Sequence, residues 1–144
     1  MKKRWIVIGA VLIVIVITAI LMHPFYIPRS LEKTVGVDFS KVTKVKLWSS
    51  INGHRSVTLE GEDLKNFLKM FDDTRLTKSL DQRIRNGEGM SLALYYGSDR
   101  TGSFAFSLTT IMTGGRRYNS STEFDRTGLE NKYFPRQDDI SSGA

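Results

Sequence analysis

The first pattern along the chain is a run without a polar stripe. Trp5 to Met22 reads WIVIGAVLIVIVITAILM, eighteen residues with no charge, apolar on every face a helix could turn. A helix rises about 1.5 Å per residue, so the run covers roughly 27 Å, enough for a thin bilayer core or a slightly tilted fit. A core helix of a soluble domain would keep one wet side. A cleavable signal peptide has an apolar region of about 7–15 residues closed by small residues. This run is longer, and its exit, Ile20-Leu21-Met22-His23-Pro24, offers no such pair. The pattern predicts an uncleaved transmembrane helix over 5–22, with 1–4 as a cytoplasmic stub.

Beyond Pro24 and Pro28, which bracket a short connector over 23–29, the pattern breaks into shorter periods. Ser30 is placed to cap a brief helix over 31–35 that Gly36 stops. From Val42 the period becomes two: Val45 and Leu47 on one side, Lys44, Lys46 and Trp48 on the other. Arg55 to Glu60 repeats it through Val57 and Leu59. A two-residue Asn52-Gly53 loop would set Val57 opposite Trp48 and split the apolar set between faces. A three-residue loop, Ile51-Asn52-Gly53, gives Gly53 the left-handed position of a bulged hairpin and pairs Leu47 with Val57 and Val45 with Leu59. The second register is expected, since a slip of one residue turns every side chain over.

Glu62 to Asp73 carries the strongest helical signal outside the membrane run. Leu64, Phe67, Leu68 and Phe71 follow the i, i+3, i+4, i+7 spacing, with Glu62 and Asp63 at the positive end of the dipole. This face is expected to cover the hairpin. Residues 74–89 are ambiguous, with Leu76, Leu80 and Ile84 as anchors for a long loop or an extra element. Alternation resumes at Met90, Leu92, Leu94 and Tyr96, and again at Phe104, Phe106 and Leu108, with 97–102 as the turn. Thr113-Gly114-Gly115 breaks the chain before a short strand around Tyr118. Thr127-Gly128-Leu129-Glu130 has capping-box spacing and opens a last helix, Leu129 and Tyr133 on one face. The residues from 135 to 144 read as a flexible tail.

These elements make an α+β protein: an N-terminal transmembrane helix, then a small antiparallel sheet of about four to five strands with one main helix on one face, the domain spanning 30–134. In this order the chain resembles small uncharacterised α+β domains held outside the membrane of Gram-positive bacteria. The resemblance covers about 30–134 and rests on Val37-Asp38-Phe39-Ser40-Lys41-Val42 leading into the hairpin and then the helix. It implies a membrane-anchored extracytoplasmic domain and brings no activity with it.

Charge and composition sharpen this picture in three places. Lys2, Lys3 and Arg4 abut the apolar run, so the positive-inside rule puts the N-terminus in the cytoplasm and the domain outside. These three account for half of the formal +6. The remaining 18 Lys and Arg against 15 Asp and Glu are too dispersed for binding by phosphate neutralisation, so no nucleic-acid partner is expected. The chain has no cysteine, which excludes disulfides, thiol catalysis and lipid attachment through a thioether.

Catalytic patterns are missing. His23 and His54 are the two histidines, and neither has metal-ligand spacing. No G-x-S-x-G occurs, and Ser30-Leu31-Glu32-Lys33 fits S-x-x-K only as a helix cap. The acids Glu60, Glu62, Asp63, Asp72 and Asp73 flank one helix rather than face across a cleft. The chain therefore reads as a non-catalytic binding or interaction module with no cofactor and no metal, a small hydrolase being the least favoured alternative because it would require a cleft with convergent polar groups. Its partners are the lipid bilayer, through 5–22, and another membrane or envelope protein. The candidate partner face is Trp48 with Lys44 and Lys46. Arg75, Lys78, Arg83, Arg85, Arg116 and Arg117 are a candidate basic surface for anionic envelope polymer or lipid headgroups. Phe124, Leu129 and Tyr133 are expected to fold over Trp48 as a second small core, the alternative being that this outer hairpin face is left open as the partner site.

Overall fold

The computed structural model describes residues 1–50, 55–83 and 89–135. Helix α1 (Lys2–Tyr26) is long and apolar enough to cross a membrane, and none of that apolar window is buried by the rest of the protein. It runs through Pro24, whose fixed φ suits a helix at the loss of one hydrogen bond. The last turn closes with the Ile27 N–H donating to the His23 carbonyl at 3.0 Å. The connector is therefore shorter than the two prolines suggest. Only Ile27 and Pro28 separate α1 from β1 (Arg29–Ser30).

Helix α2 (Leu31–Val35) forms as its sequence requires: the Lys33 N–H donates to the Ser30 hydroxyl, and Gly36 ends it at φ 77°. A 3-10 turn over Phe39–Lys41, capped by Asp38, leads into β2 (Lys44–Ser49). β3 (Arg55–Leu59) pairs with it in the expected register, Leu47 opposite Val57 and Val45 opposite Leu59. The Ile51-Asn52-Gly53 turn and His54 lie outside the described residues. Helix α3 (Gly61–Lys69) is shorter than 62–73, but the tight turns after it still bury Phe71 together with Leu64, Phe67 and Leu68.

The sheet is larger than four to five strands. β4 (Arg75–Lys78), β5 (Met90–Tyr96), β6 (Asp99–Phe106), β7 (Thr110–Thr113) and β8 (Arg116–Ser120) complete eight antiparallel strands in the order β1-β4-β8-β7-β6-β5-β2-β3. Three strands escape the sequence reading for physical reasons. β1 has two residues, too few for a period. β4 has one buried apolar side chain, Leu76, in a polar stretch. β7 has one buried apolar side chain, Ile111; the Gly114-Gly115 turn after it, both glycines at positive φ, and the strand around Tyr118, β8, are as expected.

The meander β5 to β8 forms the centre, with the β2–β3 hairpin on one side and β4 with β1 on the other. β3 and β4 point the same way from distant positions in the sheet, so their connection must cross it, and α3 does so over one face. The core lies beneath. Phe71 sits at its centre, with ring centroids 5.2–5.5 Å from Phe67, Phe104, Phe106 and Phe124. Helix α4 (Arg126–Tyr133) closes the same face, its Tyr133 ring 5.7 Å from Phe67. Its N-terminus is capped by Asp125, whose carboxylate accepts the Gly128 N–H, rather than by Thr127.

Candidate functional site

Strand alternation divides the side chains between two faces. Val45, Leu47, Leu92, Leu94, Phe104, Phe106 and Ile111 turn to the helices and are buried. Lys44, Lys46 and Trp48 turn the other way, with Ser91 and Ala93 of β5 and Ser103 and Ala105 of β6 beside them by register. The expected second core does not form there. Phe124 is buried against Phe71 and Phe106, and Leu129 and Tyr133 pack on the same helix-covered face. The C-terminal segment follows its apolar side chains to the larger core, and Trp48 stays half-buried on the other side of the sheet.

Around Trp48 the outer face forms a shallow depression of about 480 Å³. The indole and Met112 stand on opposite sides of a floor of small side chains, Ser91, Ser103 and Ala105, with Arg100 and the Thr113-Gly114-Gly115 turn on the rim. The Lys46 ammonium lies 5.4 Å from the Trp48 ring, and the Lys44 ammonium 4.7 Å from Tyr95. Each is a cation over an aromatic face. The depression offers a flat apolar wall, hydroxyls below it and positive charge around it.

Arg100 is the member that sequence alternation missed. The β5–β6 register shifts between Leu94 and Tyr95: Leu94 opposes Gly102, whereas Tyr95 opposes Arg100. The extra residue, Thr101, makes a bulge, and its hydroxyl donates to the Leu94 carbonyl at 3.2 Å. In an unbroken ladder Arg100 would fall on the helix side; the bulge turns it outward beside Trp48. Gly102 is the one signal in the sequence. A Cβ there would come within 2.5 Å of a Val37 methyl and 3.2 Å of one of Val35, so the strand passes the end of α2 and the residues after it closely enough to need glycine.

The basic surface does not assemble as one patch. Arg75 and Lys78 are three residues apart on β4, and Arg116 and Arg117 are adjacent on β8, so each pair divides between the faces. Arg117 and Arg83 share Asp81, at 3.9 and 3.2 Å. The Asp81 carboxyl is held below the usual range, first by the Arg83 backbone N–H and then by the charges of Arg83 and Arg117, against a desolvation that opposes them. Lys78 lies 5.1 Å over the Phe25 ring of α1. Arg85 lies outside the described residues.

A second polar cluster ties α4 to the hairpin. The Ser49 hydroxyl donates to Glu130 at 2.6 Å, and the Arg55 guanidinium donates to the other Glu130 oxygen at 3.4 Å and to the Pro135 carbonyl at 3.1 Å. Glu130 is buried, so the two contacts replace most of the water around its carboxylate, and the cluster acts as a clasp. Among the described residues no group of three or more His, Asp or Glu could hold a metal ion. No protein-family model, curated protein or solved structure matches the chain.

Proposed function

We propose that this chain is a non-catalytic, single-pass membrane protein that presents an interaction module outside the membrane. The binding surface is the outer sheet face around Trp48. The observation that carries this reading is the depression itself: a large aromatic ring beside a floor of small side chains, rimmed by Lys46 and Arg100, with every helix of the domain packed on the opposite face. Tryptophan and arginine dominate binding hot spots because they supply contact area and directed hydrogen bonds at once. The partner is a membrane or envelope protein that offers an apolar or aromatic side chain flanked by negative charge.

The orientation follows from Lys2, Lys3 and Arg4 on the cytoplasmic side of α1. Protease added to intact protoplasts is expected to digest the domain, and digestion only after lysis would refute the external location. Binding is tested with a photo-crosslinking amino acid at Ser103 of the full chain in intact cells. A discrete adduct that disappears with Trp48→Ala supports the reading. No adduct, or one indifferent to Trp48→Ala, counts against it.

A further inference from the structure

The exit of α1 from the apolar run is built into the side of the sheet. Met22, Phe25 and Tyr26 of the helix and Lys78, Leu80 and Asp81 after β4 surround one depression of about 240 Å³. Two residues past the helix, Arg29 pairs with Leu76 and Ser30 with Arg75, so β1 fastens the same end of α1 to β4. The domain therefore does not swing on a tether.

This attachment sets a depth. Met22 ends the charge-free run, and Tyr26 lies four residues on, about 6 Å along the helix axis. The segment after β4 shares one depression with the last turns of α1, from Met22 to Tyr26. Leu80 lines it and is 79% exposed in the protein alone, among the most exposed large apolar side chains beyond the helix. Lys78, Arg83 and Arg117 accompany it. The one carboxylate of this group, Asp81, is matched by Arg83 and Arg117 and does not stand unpaired before lipid phosphates.

We infer that residues 78–83 are a membrane-resting foot, with Leu80 seated at the boundary between headgroups and acyl chains and Lys78 at the level of the lipid phosphates. An apolar side chain at this depth loses its contact with water to the lipid, and nearby cations gain from an anionic surface. The inference rests on the reading of α1 as a membrane anchor. Trp48 on β2 is five strand spacings from β4, about 24 Å across the sheet at roughly 4.8 Å each, while Met112 at the other wall of its depression is on β7, two spacings from β4.

The absence of cysteine allows a direct test with single nitroxide labels on the full chain in vesicles of phosphatidylethanolamine and phosphatidylglycerol. Labels at Leu80→Cys, Ile15→Cys and Leu108→Cys are compared by collision with oxygen, which concentrates in lipid, and with a water-soluble nickel chelate. Leu108 is half-exposed on a loop between β6 and β7 and serves as the solvated reference. The expected result is a Leu80 ratio shifted from that of Leu108 towards that of Ile15. A Leu80 label as open to nickel as Leu108, with Ile15 protected, overturns the foot and leaves the anchor standing. An Ile15 label open to nickel overturns the anchor and the foot together.

Discussion

The two faces of the sheet are made from the same strands, residue by residue in alternation, yet they obey different rules. The helix-covered face uses phenylalanines and leucines, with Val45 opposite Leu59 and Leu47 opposite Val57 across β2 and β3. Its rings meet edge-on or tilted at 5.2–5.5 Å, and it draws in Phe124, Leu129, Tyr133 and Phe134 of the C-terminal segment. The outer face uses small residues and long cations around one tryptophan. The difference teaches that a sheet needs only one apolar face to fold. Residues on the other face are freer to serve contact with something else.

The contrast is broken most severely from the core side. Phe71→Ala removes the ring that touches four other phenylalanines and is expected to cost about 3–5 kcal/mol, as for a buried Phe. The measurement is urea unfolding of residues 29–144 made without the anchor. That fragment is expected to unfold cooperatively, since no residue of α1 is buried. A Phe71→Ala cost below about 1 kcal/mol would contradict the packing, given that core truncations of this kind are costly.

Next in size is the clasp. Glu130→Ala leaves the Ser49 hydroxyl and the Arg55 guanidinium without their shared carboxylate, and about 1.5–3 kcal/mol is expected from hydrogen bonds to a charged group. Unfolding in the same fragment checks it, with Ser49→Ala expected to cost less because it leaves the Arg55 contact in place. Gly102→Ala sharpens the comparison where the two faces meet. Its new methyl must displace Val37, at a cost of about 1–3 kcal/mol as for other overpacked cores. Intact stability in Gly102→Ala would show that β6 does not pass Val35 and Val37 closely enough to need glycine.

The smallest stability effect is expected on the outer face. Trp48→Ala should change unfolding free energy by less than about 1 kcal/mol, the usual range for substitutions outside the core. The same substitution is expected to abolish the Ser103 crosslink.

How far the sequence led follows the same division. The long apolar helix, the α2 cap, the hairpin register and the helix face Leu64, Phe67, Leu68 and Phe71 were legible because each rests on a local period or a cap. β1, β4 and β7 were not, because strands of two to four residues with one or no buried apolar side chain take their order from neighbours rather than from their own pattern. Trp48, Lys44 and Lys46 were legible as an outward face by alternation alone. Arg100 was not, since a one-residue bulge reverses the parity on which that argument depends. The destination of Phe124, Leu129 and Tyr133 was misread because apolar side chains near the end of a chain do not reveal which face will receive them.

The most direct test of the open outer face uses intrinsic fluorescence. The chain has two tryptophans, Trp5 and Trp48, and removing the anchor leaves Trp48 as the single emitter of residues 29–144. With the outer face uncovered, its emission should lie towards the red and be quenched readily by acrylamide in the folded fragment. A blue-shifted emission protected from acrylamide, relaxing only on unfolding, would mean that Trp48 is covered, and would contradict the account.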